Sequence, residues 1–211
     1  MEATIVLGLK SDQTPIKVRG LLVGVDYGAW HCLQQGLIPD MAVGDFDTVD
    51  GEELRQIERQ VPVVRKLPVH KDQTDTEVTL EMLIAQGYQK IHIYFPFGGR
   101  IDHTIANLKL LTKFVQKDTH LSLYIYGQNY VGRFLNAGHY QLATSNYPHK
   151  YWSFFALSPV VNLSLQGFAY NVDHVDIQVD DTYTISNEAC AGQVQVAFQK
   201  GHLLFLNTCD S

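Results

Sequence analysis

The segment Ile91–Lys117, IHIYFPFGGRIDHTIANLKLLTKFVQK, joins a strand pattern, a glycine pair and a helix pattern. Its first residues, Ile91–Phe95, are rich in β-branched and aromatic side chains, which predicts a buried strand. From His103 to Lys117 a stripe recurs with the helical period; its members are Ile105, Leu108, Thr112 and Val115. A strand that leads through glycines into an amphipathic helix is typical of a parallel sheet covered by helices.

The same alternation of strand and helix patterns extends over roughly the first 126 residues. The predicted strands are Thr4–Leu9, Leu21–Val25, Met41–Val43, Val61–Arg65, Ile91–Phe95 and Leu121–Tyr126. The predicted helices are Gly28–Leu37, Gly51–Gln60, Asp75–Gln86 and His103–Lys117. We therefore predict an α/β domain at residues 1–128, with a mostly parallel, Rossmann-like sheet that has helices on both faces.

The pattern changes from about Tyr130 onward, where helical periodicity disappears. Apolar residues now alternate with polar ones, as in Val175, Ile177 and Val179, and turn sequences such as Asp180-Asp181 separate the runs. Short alternating runs broken by turns are typical of antiparallel sheets. We predict a C-terminal antiparallel β-sandwich at residues 129–211.

Composition limits the possible function classes. The 211 residues are 45% hydrophobic and 18% charged, as in a folded globular protein. The 16 Lys and Arg residues against 22 Asp and Glu residues give a net charge of −6, which disfavours nucleic-acid partners. No apolar run approaches the roughly 18 residues of a membrane span, so no membrane association is expected. Three cysteines without CxxC spacing favour a reducing, cytoplasmic environment.

Acidic residues follow four of the predicted strands, just before the next helix begins. They are Asp26, Asp45 with Asp47, Asp72 with Asp75, and Asp102. Because the carboxyl ends of parallel strands meet at one edge of a sheet, these side chains should converge there. Their mutual repulsion favours a divalent cation, and oxygen ligands without His or Cys favour Mg²⁺.

Groups suited to phosphate accompany these carboxylates. Gly98-Gly99 allows close backbone approach, Arg100 offers a forked donor, and Lys71 adds a positive charge. The chain has neither a P-loop nor a dinucleotide-binding glycine motif. The residues alone therefore indicate metal-assisted chemistry on a polyphosphate.

Several of these residues also have purely structural explanations. Thr74 with Glu77, and Asp50 with Glu53, match the capping-box pattern at a helix start. Asp102 could be the N-cap of the helix at His103, and Asp26 could be an ordinary turn residue. For Asp50 with Glu53 capping alone is the expected role, and for the other residues the sequence leaves the alternatives open.

Three motifs together resemble the thiamine pyrophosphokinase family. They are Pro39-Asp40 with Gly44-Asp45-Phe46-Asp47-Thr48, Lys71-Asp72-Gln73-Thr74-Asp75-x-Glu77, and Gly98-Gly99-Arg100-Ile101-Asp102-His103-Thr104-x-Ala106-Asn107. Their order and spacing match over nearly the whole first domain. In the second domain, Thr184-Ile185-Ser186-Asn187-Glu188 resembles the Ser-Asn motif of the family.

The resemblance implies an enzyme that transfers the pyrophosphoryl group of ATP to the hydroxyl of thiamine, with Mg²⁺ as cofactor. It also implies a homodimer with a composite active site, in which the α/β domain of one subunit and the β domain of the other enclose thiamine. The alternatives are another Mg²⁺-dependent phosphotransferase or phosphohydrolase that uses the same acidic crevice, and a non-catalytic binder of thiamine or nucleotide.

The resemblance also implies roles for individual residues. The expected metal ligands, direct or through water, are Asp45, Asp47, Asp75 and Asp102. The expected ATP-binding residues are Asp26, Lys71, Arg100 and Asn107. Ser186 and Asn187 are expected on the thiamine side. Asp72 has three possible roles, which are positioning Lys71, binding metal, or helping to accept the hydroxyl proton.

Overall fold

The computed structural model describes residues 1–9, 13–70 and 72–210. The chain divides into two compact units, which we describe separately. The first comprises Met1–Leu111 with Ile125–Gln128, and the second comprises Thr112–Tyr124 with Asn129–Ser211. The functional domains predicted at 1–128 and 129–211 stay a prediction, since this division does not show which part carries which function.

The first unit is built around parallel strands. The strands are β1 (Glu2–Val6), β2 (Leu21–Val25), β3 (Met41–Gly44), β4 (Val63–Lys66), β5 (Lys90–Tyr94) and β6 (Ser122–Gly127). They lie in the order β6-β5-β1-β2-β3-β4, and the β5–β1, β1–β2, β2–β3 and β3–β4 pairs are all parallel. The helices are α1 (Tyr27–Gln34), α2 (Gly51–Gln60), α3 (Asp75–Ala85) and α4 (Ile101–Lys117). Part of α4 and part of β6 are counted with the second unit, which includes residues 112–124. The prediction of an α/β fold with a mostly parallel N-terminal sheet is confirmed.

Some element ends differ from the sequence prediction. Helix α1 ends at Gln34 rather than Leu37, because Gly36 has a φ of 73° and the Leu37 N–H turns back to the carbonyl of Cys32 at 2.9 Å. Helix α4 begins at Ile101, two residues earlier than predicted. Asp102 therefore lies inside the first turn and is not its N-cap.

Close contact between α1 and β1 depends on a glycine. A Cβ atom on Gly28 would lie 1.9 Å from the carbonyl oxygen of Val6, so only glycine allows the helix to begin this near to the strand. The strand itself is fully buried at Ala3, Ile5 and Val6. The start of α1, which directly follows the carboxyl end of β2, therefore lies close to β1.

The second unit consists largely of antiparallel strands. They are β7 (Tyr130–Ala143), β8 (Tyr151–Ala156), β9 (Val160–Gln166), β10 (Val172–Ile177), β11 (Asn187–Glu188) and β12 (Gln193–Thr208), with a short 3₁₀ helix at Thr144–Asn146. The long strand β12 pairs antiparallel with β7, β8 and β9. The core contains Trp152, Phe154 and Phe205, whose rings stack at centroid distances of 4.9 and 5.2 Å. The predicted antiparallel character is confirmed.

No helix in the described ranges has both the length and the apolar character needed to cross a membrane.

Candidate active site

Three carboxylates from different parts of the first unit converge. Asp26 follows β2, Asp45 follows β3, and Asp75 opens α3. One oxygen atom from each lies within 4.8 Å of the others, and all three side chains are partly buried. The structure thus brings together two of the four predicted metal ligands, Asp45 and Asp75, and adds Asp26, which the family resemblance had placed in the nucleotide pocket.

The backbone at Asp26 directs its side chain into this cluster. Asp26 has a φ of 48° and is the N-cap residue of α1, but its side chain makes no capping bond to the helix. Its N–H donates to the carbonyl of Val43 at 3.0 Å, and its Oδ1 accepts a bond from the N–H of Phe46 at 3.2 Å. A Cβ on Gly44 would lie 1.8 Å from the same Oδ1. Glycine at position 44 therefore leaves the space that the Asp26 carboxylate occupies.

The loop Asp45–Asp47 has a left-handed residue between its two carboxylate-bearing residues. Phe46 is buried and adopts a φ of 60°, and Oδ1 of Asp45 accepts a bond from the N–H of Asp47 at 3.2 Å. Side chains two residues apart share a side only in an extended chain, and the left-handed Phe46 interrupts that geometry. Asp47 is exposed, and it lies outside the three-carboxylate group found among the described residues.

The electrostatics of the cluster favour a bound cation. Burial raises the pKa of Asp26 to about 7 from an ordinary 3.8, and the negative charges of Asp75 and Asp45 act in the same direction. The hydrogen bond from Phe46 only partly opposes these effects. Three hard oxygen donors that repel one another in a partly buried place have the ligand chemistry that Mg²⁺ requires.

Capping interactions place Asp75 at the helix start. Thr74 is the N-cap of α3, and its Oγ1 accepts a bond from the N–H of Glu77 at 3.1 Å. Asp75 is therefore the first helical residue, at the positive end of the helix dipole. Asp50 and Glu53 form the predicted reciprocal capping box at α2. Asp72 is exposed, and Lys71 lies outside the described residues.

The loop between β5 and α4 is fixed by polar contacts from the helix. Gly98 and Gly99 have φ angles of 129° and 62°, which favour glycine. The N–H of Gly98 donates to Oγ1 of Thr104 at 3.0 Å, and Nδ2 of Asn107 donates to the carbonyl of Pro96 at 2.8 Å. Asn107, predicted for the nucleotide pocket, thus holds the loop that precedes Arg100.

Arg100 and Asp102 form a two-bond ion pair. Nε of Arg100 donates to Oδ1 of Asp102 at 3.1 Å, and Nη2 donates to Oδ2 at 2.5 Å. The side chains are 71% and 58% exposed. The hydrogen bonds from Arg100 lower the pKa of Asp102 to about 2. The sequence does not predict the Arg100–Asp102 pair, whereas it does predict the convergence of Asp26 with Asp45 and Asp75.

In the second unit, the residues of the Ser-Asn motif make hydrogen bonds that hold the local backbone in place. Ser186 is exposed, has a φ of 54°, and donates its N–H to Oγ of Ser153 at 3.0 Å. Asn187 is only 4% exposed; its Oδ1 accepts from the N–H of Tyr170 at 3.0 Å and its Nδ2 donates to the carbonyl of Tyr170 at 2.6 Å. The tyrosine whose backbone is held in this way is 75% exposed.

Both parts of the chain match known family sequences. Residues 15–123 match the family described as "Thiamin pyrophosphokinase, catalytic domain", and residues 139–203 match "Thiamin pyrophosphokinase, vitamin B1 binding domain". A curated relative, the thiamine pyrophosphokinase of Bacillus subtilis (strain 168), is 34% identical over 191 residues, which cover 90% of this chain and 88% of the relative.

Solved structures agree with these matches over the full length. The crystal structure of thiamine pyrophosphokinase from Bacillus subtilis superimposes with a TM-score of 0.87 at 30% identity and covers 100% of both chains. A thiamin pyrophosphokinase family protein from Enterococcus faecalis has the same TM-score of 0.87 at 26% identity, covering 99% of this chain and 100% of its own.

Proposed function

The chain belongs to the thiamine pyrophosphokinase family, and we propose that it transfers the pyrophosphoryl group of ATP to the hydroxyl of thiamine. The products are thiamine diphosphate and AMP. The observation that carries this proposal is the convergence of Asp26, Asp45 and Asp75 within 4.8 Å, inside the part of the chain that matches the catalytic domain. Such a cluster suits a reaction in which highly charged phosphate groups must be bound and aligned.

The residues of the carboxylate cluster fit a divalent metal. Asp45 and Asp75, together with Asp26, are the residues that would hold Mg²⁺, and the exposed Asp47 is proposed to assist through water. When bound, Mg²⁺ supplies charge neutralisation to the phosphate oxygens. The raised pKa of Asp26 supports this assignment, because a cation would relieve the repulsion that causes part of the shift.

Other residues are proposed to align the reacting groups. The guanidinium of Arg100 binds oxygen atoms of the triphosphate, with Lys71 as an additional charge and Asn107 holding the loop. The hydroxyl oxygen of thiamine attacks the β-phosphorus, the bond to the α-phosphate oxygen breaks, and AMP leaves. The hydroxyl proton passes to a carboxylate, for which we propose the exposed Asp72. Alignment of attacking oxygen and phosphorus is the main contribution asked of the protein.

Thiamine is proposed to bind at the motif Ser186-Asn187, which lies in the part matched to the vitamin B1 binding domain. The family resemblance further supports a homodimer with a composite active site, a β-sandwich in the second part, and helices on both faces of the parallel sheet. We also propose a cytoplasmic location, which the three free cysteines support. Light scattering of the purified protein tests the dimer.

Product analysis tests the reaction. Purified protein with ATP, thiamine and Mg²⁺ should release AMP in step with thiamine diphosphate. ADP in place of AMP would identify a one-phosphoryl kinase and overturn the proposal, and ATP breakdown without thiamine would identify a phosphohydrolase. Asp45→Asn should lower turnover by about 100-fold or more. The matched control is Asp173→Asn, because the side chain of Asp173 in the second unit is 76% exposed. This variant should retain turnover.

A further inference from the structure

The side chain of Arg100 has a single anchor in the described part of the chain. Asp102 bonds to its Nε and Nη2 atoms, and no other ion pair or side-chain hydrogen bond of Arg100 is found among the described residues. The Arg100 side chain is 71% exposed, so packing restrains it little. An arginine without this anchor would sample many rotamers, and ordering it would oppose ligand binding.

Asp102 is itself rigidly placed. It lies in the first turn of α4, and its Oδ1 also accepts a bond from the N–H of His103 at 3.0 Å. The carboxylate of Asp102 accepts bonds from Nε and Nη2, which form one edge of the guanidinium. These bonds leave Nη1 to donate to a ligand. An arginine held by a carboxylate along one edge can present its other edge to phosphate oxygens.

We infer that Asp102 is a positioning residue for Arg100, which it holds oriented for the triphosphate, and not a direct metal ligand. This inference rests on the proposed function of Arg100. Both carboxylate oxygens of Asp102 accept hydrogen bonds from Arg100. The cluster of three carboxylates found among the described residues consists of Asp26, Asp45 and Asp75, without Asp102. Asp102 therefore acts on the nucleotide through the arginine.

A double-mutant cycle on ATP binding tests this coupling. Isothermal titration with ATP in EDTA compares the wild type, Arg100→Gln, Asp102→Asn and the double variant. In the wild-type background Arg100→Gln should weaken ATP binding about tenfold; in the Asp102→Asn background it should weaken binding by no more than about twofold. The control is Glu52→Gln, which removes a similarly exposed arginine pair at 2.7 Å on α2. In that background the loss on Arg100→Gln should stay about tenfold.

Binding of metal alone separates the two roles of Asp102. Mn²⁺ titration followed by electron paramagnetic resonance should give the same affinity for Asp102→Asn as for the wild type, and a weakened affinity for Asp45→Asn. The melting temperature of each variant verifies folding.

Three results would overturn the inference. An equal loss of ATP affinity on Arg100→Gln in both backgrounds would show that Asp102 does not position Arg100. A loss of Mn²⁺ affinity in Asp102→Asn as large as that in Asp45→Asn would make it a metal ligand. If Arg100→Gln leaves ATP binding unchanged in the wild type, the inference and the assigned role of Arg100 fail together. None of these measurements uses product formation, so the AMP assay judges the proposed reaction independently.

Discussion

The backbone N–H of Phe46 donates a 3.2 Å hydrogen bond to Oδ1 of Asp26, although the two residues are 20 positions apart in the sequence. The bond joins the ends of β2 and β3, which pair in parallel with Val25 beside Val43. It also fixes the left-handed turn at Phe46, which follows directly after Asp45. One carboxylate thus shapes the loop that carries another member of the cluster.

The space beside this bond makes Gly44 sensitive to substitution. A Cβ there would lie 1.8 Å from Oδ1 of Asp26, at a φ of 155° that side chains rarely adopt. In Gly44→Ala the carboxylate must move, so we expect turnover to fall about 100-fold because the cluster loses its alignment. Steady-state assay of AMP formation measures this loss.

Gly51 provides the matched control for this change. A Cβ there would have Arg55 Nη1 as its nearest neighbour at 3.8 Å, and Gly51 is the first residue of α2. Gly51→Ala should keep turnover within about twofold of the wild type. Wild-type turnover in Gly44→Ala would mean that the position of the Asp26 carboxylate does not matter for the reaction.

Asp26→Asn should stabilise the metal-free protein while impairing the enzyme. The pKa of Asp26 in the folded protein is about 7, above its ordinary 3.8, so ionisation is less favourable in the folded state. The stability of metal-free wild type should therefore fall as pH rises from about 4 to about 7, by a few kcal/mol. The variant lacks this ionisation, so calorimetry in EDTA at pH 8 should give it the higher melting temperature.

Mg²⁺ should reverse this order. In the wild type the cation relieves the repulsion among three carboxylates, whereas the variant offers one fewer charged ligand. Addition of Mg²⁺ should thus raise the melting temperature of the wild type more than that of Asp26→Asn. Equal shifts in the two proteins would remove Asp26 from the proposed metal site.

The convergence of Asp45 and Asp75 could be predicted from the sequence, because the carboxyl ends of parallel strands lie at one edge of a sheet. The capping role of Thr74 was equally readable, since it depends on local spacing. The same reasoning places Asp26 at this edge, whereas the family resemblance assigns it to the nucleotide. Its hydrogen bond to the loop after Asp45 depends on the pairing of β2 with β3. A strand order cannot be read from one sequence.

Side-chain pairing was less predictable than strand topology. Arg100 and Asp102 were assigned to different ligands, yet in the structure they bind each other. Similarly, Asn187 was predicted to face thiamine, and its amide bonds to the backbone of Tyr170, 17 residues away. Such contacts depend on rotamers and loop conformations, which hydrophobic periodicity does not report.

Buried His92 should make the protein sensitive to mild acid. Burial lowers the pKa of His92 to about 4 from 6.5, although the hydrogen bond to Glu2 opposes this shift. The unfolded chain binds a proton at about pH 6.5, whereas the folded protein does not do so until about pH 4. The associated stability is present above pH 6.5 and is lost as pH falls toward 4, by up to about 3 kcal/mol.

Chemical denaturation at pH 7 and at pH 5 measures this effect. His92→Gln should show a smaller loss of unfolding free energy between the two pH values than the wild type, and the exposed control His120→Gln should behave as the wild type. Glu2, whose pKa is lowered by its bonds to Lys90 and His92, acts in the same direction at lower pH. Identical pH dependence in His92→Gln and the wild type would contradict the prediction.

The two residues of the Ser-Asn motif should respond differently to alanine. Asn187 is buried and holds the backbone of Tyr170 through two bonds, so Asn187→Ala should lower the free energy of unfolding by about 1–3 kcal/mol. Ser186 is exposed, so Ser186→Ala should leave the free energy of unfolding nearly unchanged. Both changes should raise the KM for thiamine, the first by disordering the loop at Tyr170 and the second by removing a hydroxyl near the ligand.

Saturating thiamine distinguishes these two causes. At high thiamine concentration Ser186→Ala should recover wild-type turnover, because a lost contact weakens binding while the folded enzyme stays intact. Asn187→Ala should recover turnover only at temperatures well below its lowered melting point. Equal melting temperatures for Asn187→Ala and the wild type would show that the bonds to Tyr170 do not hold the loop, and Asn187 would then be free to act on thiamine directly.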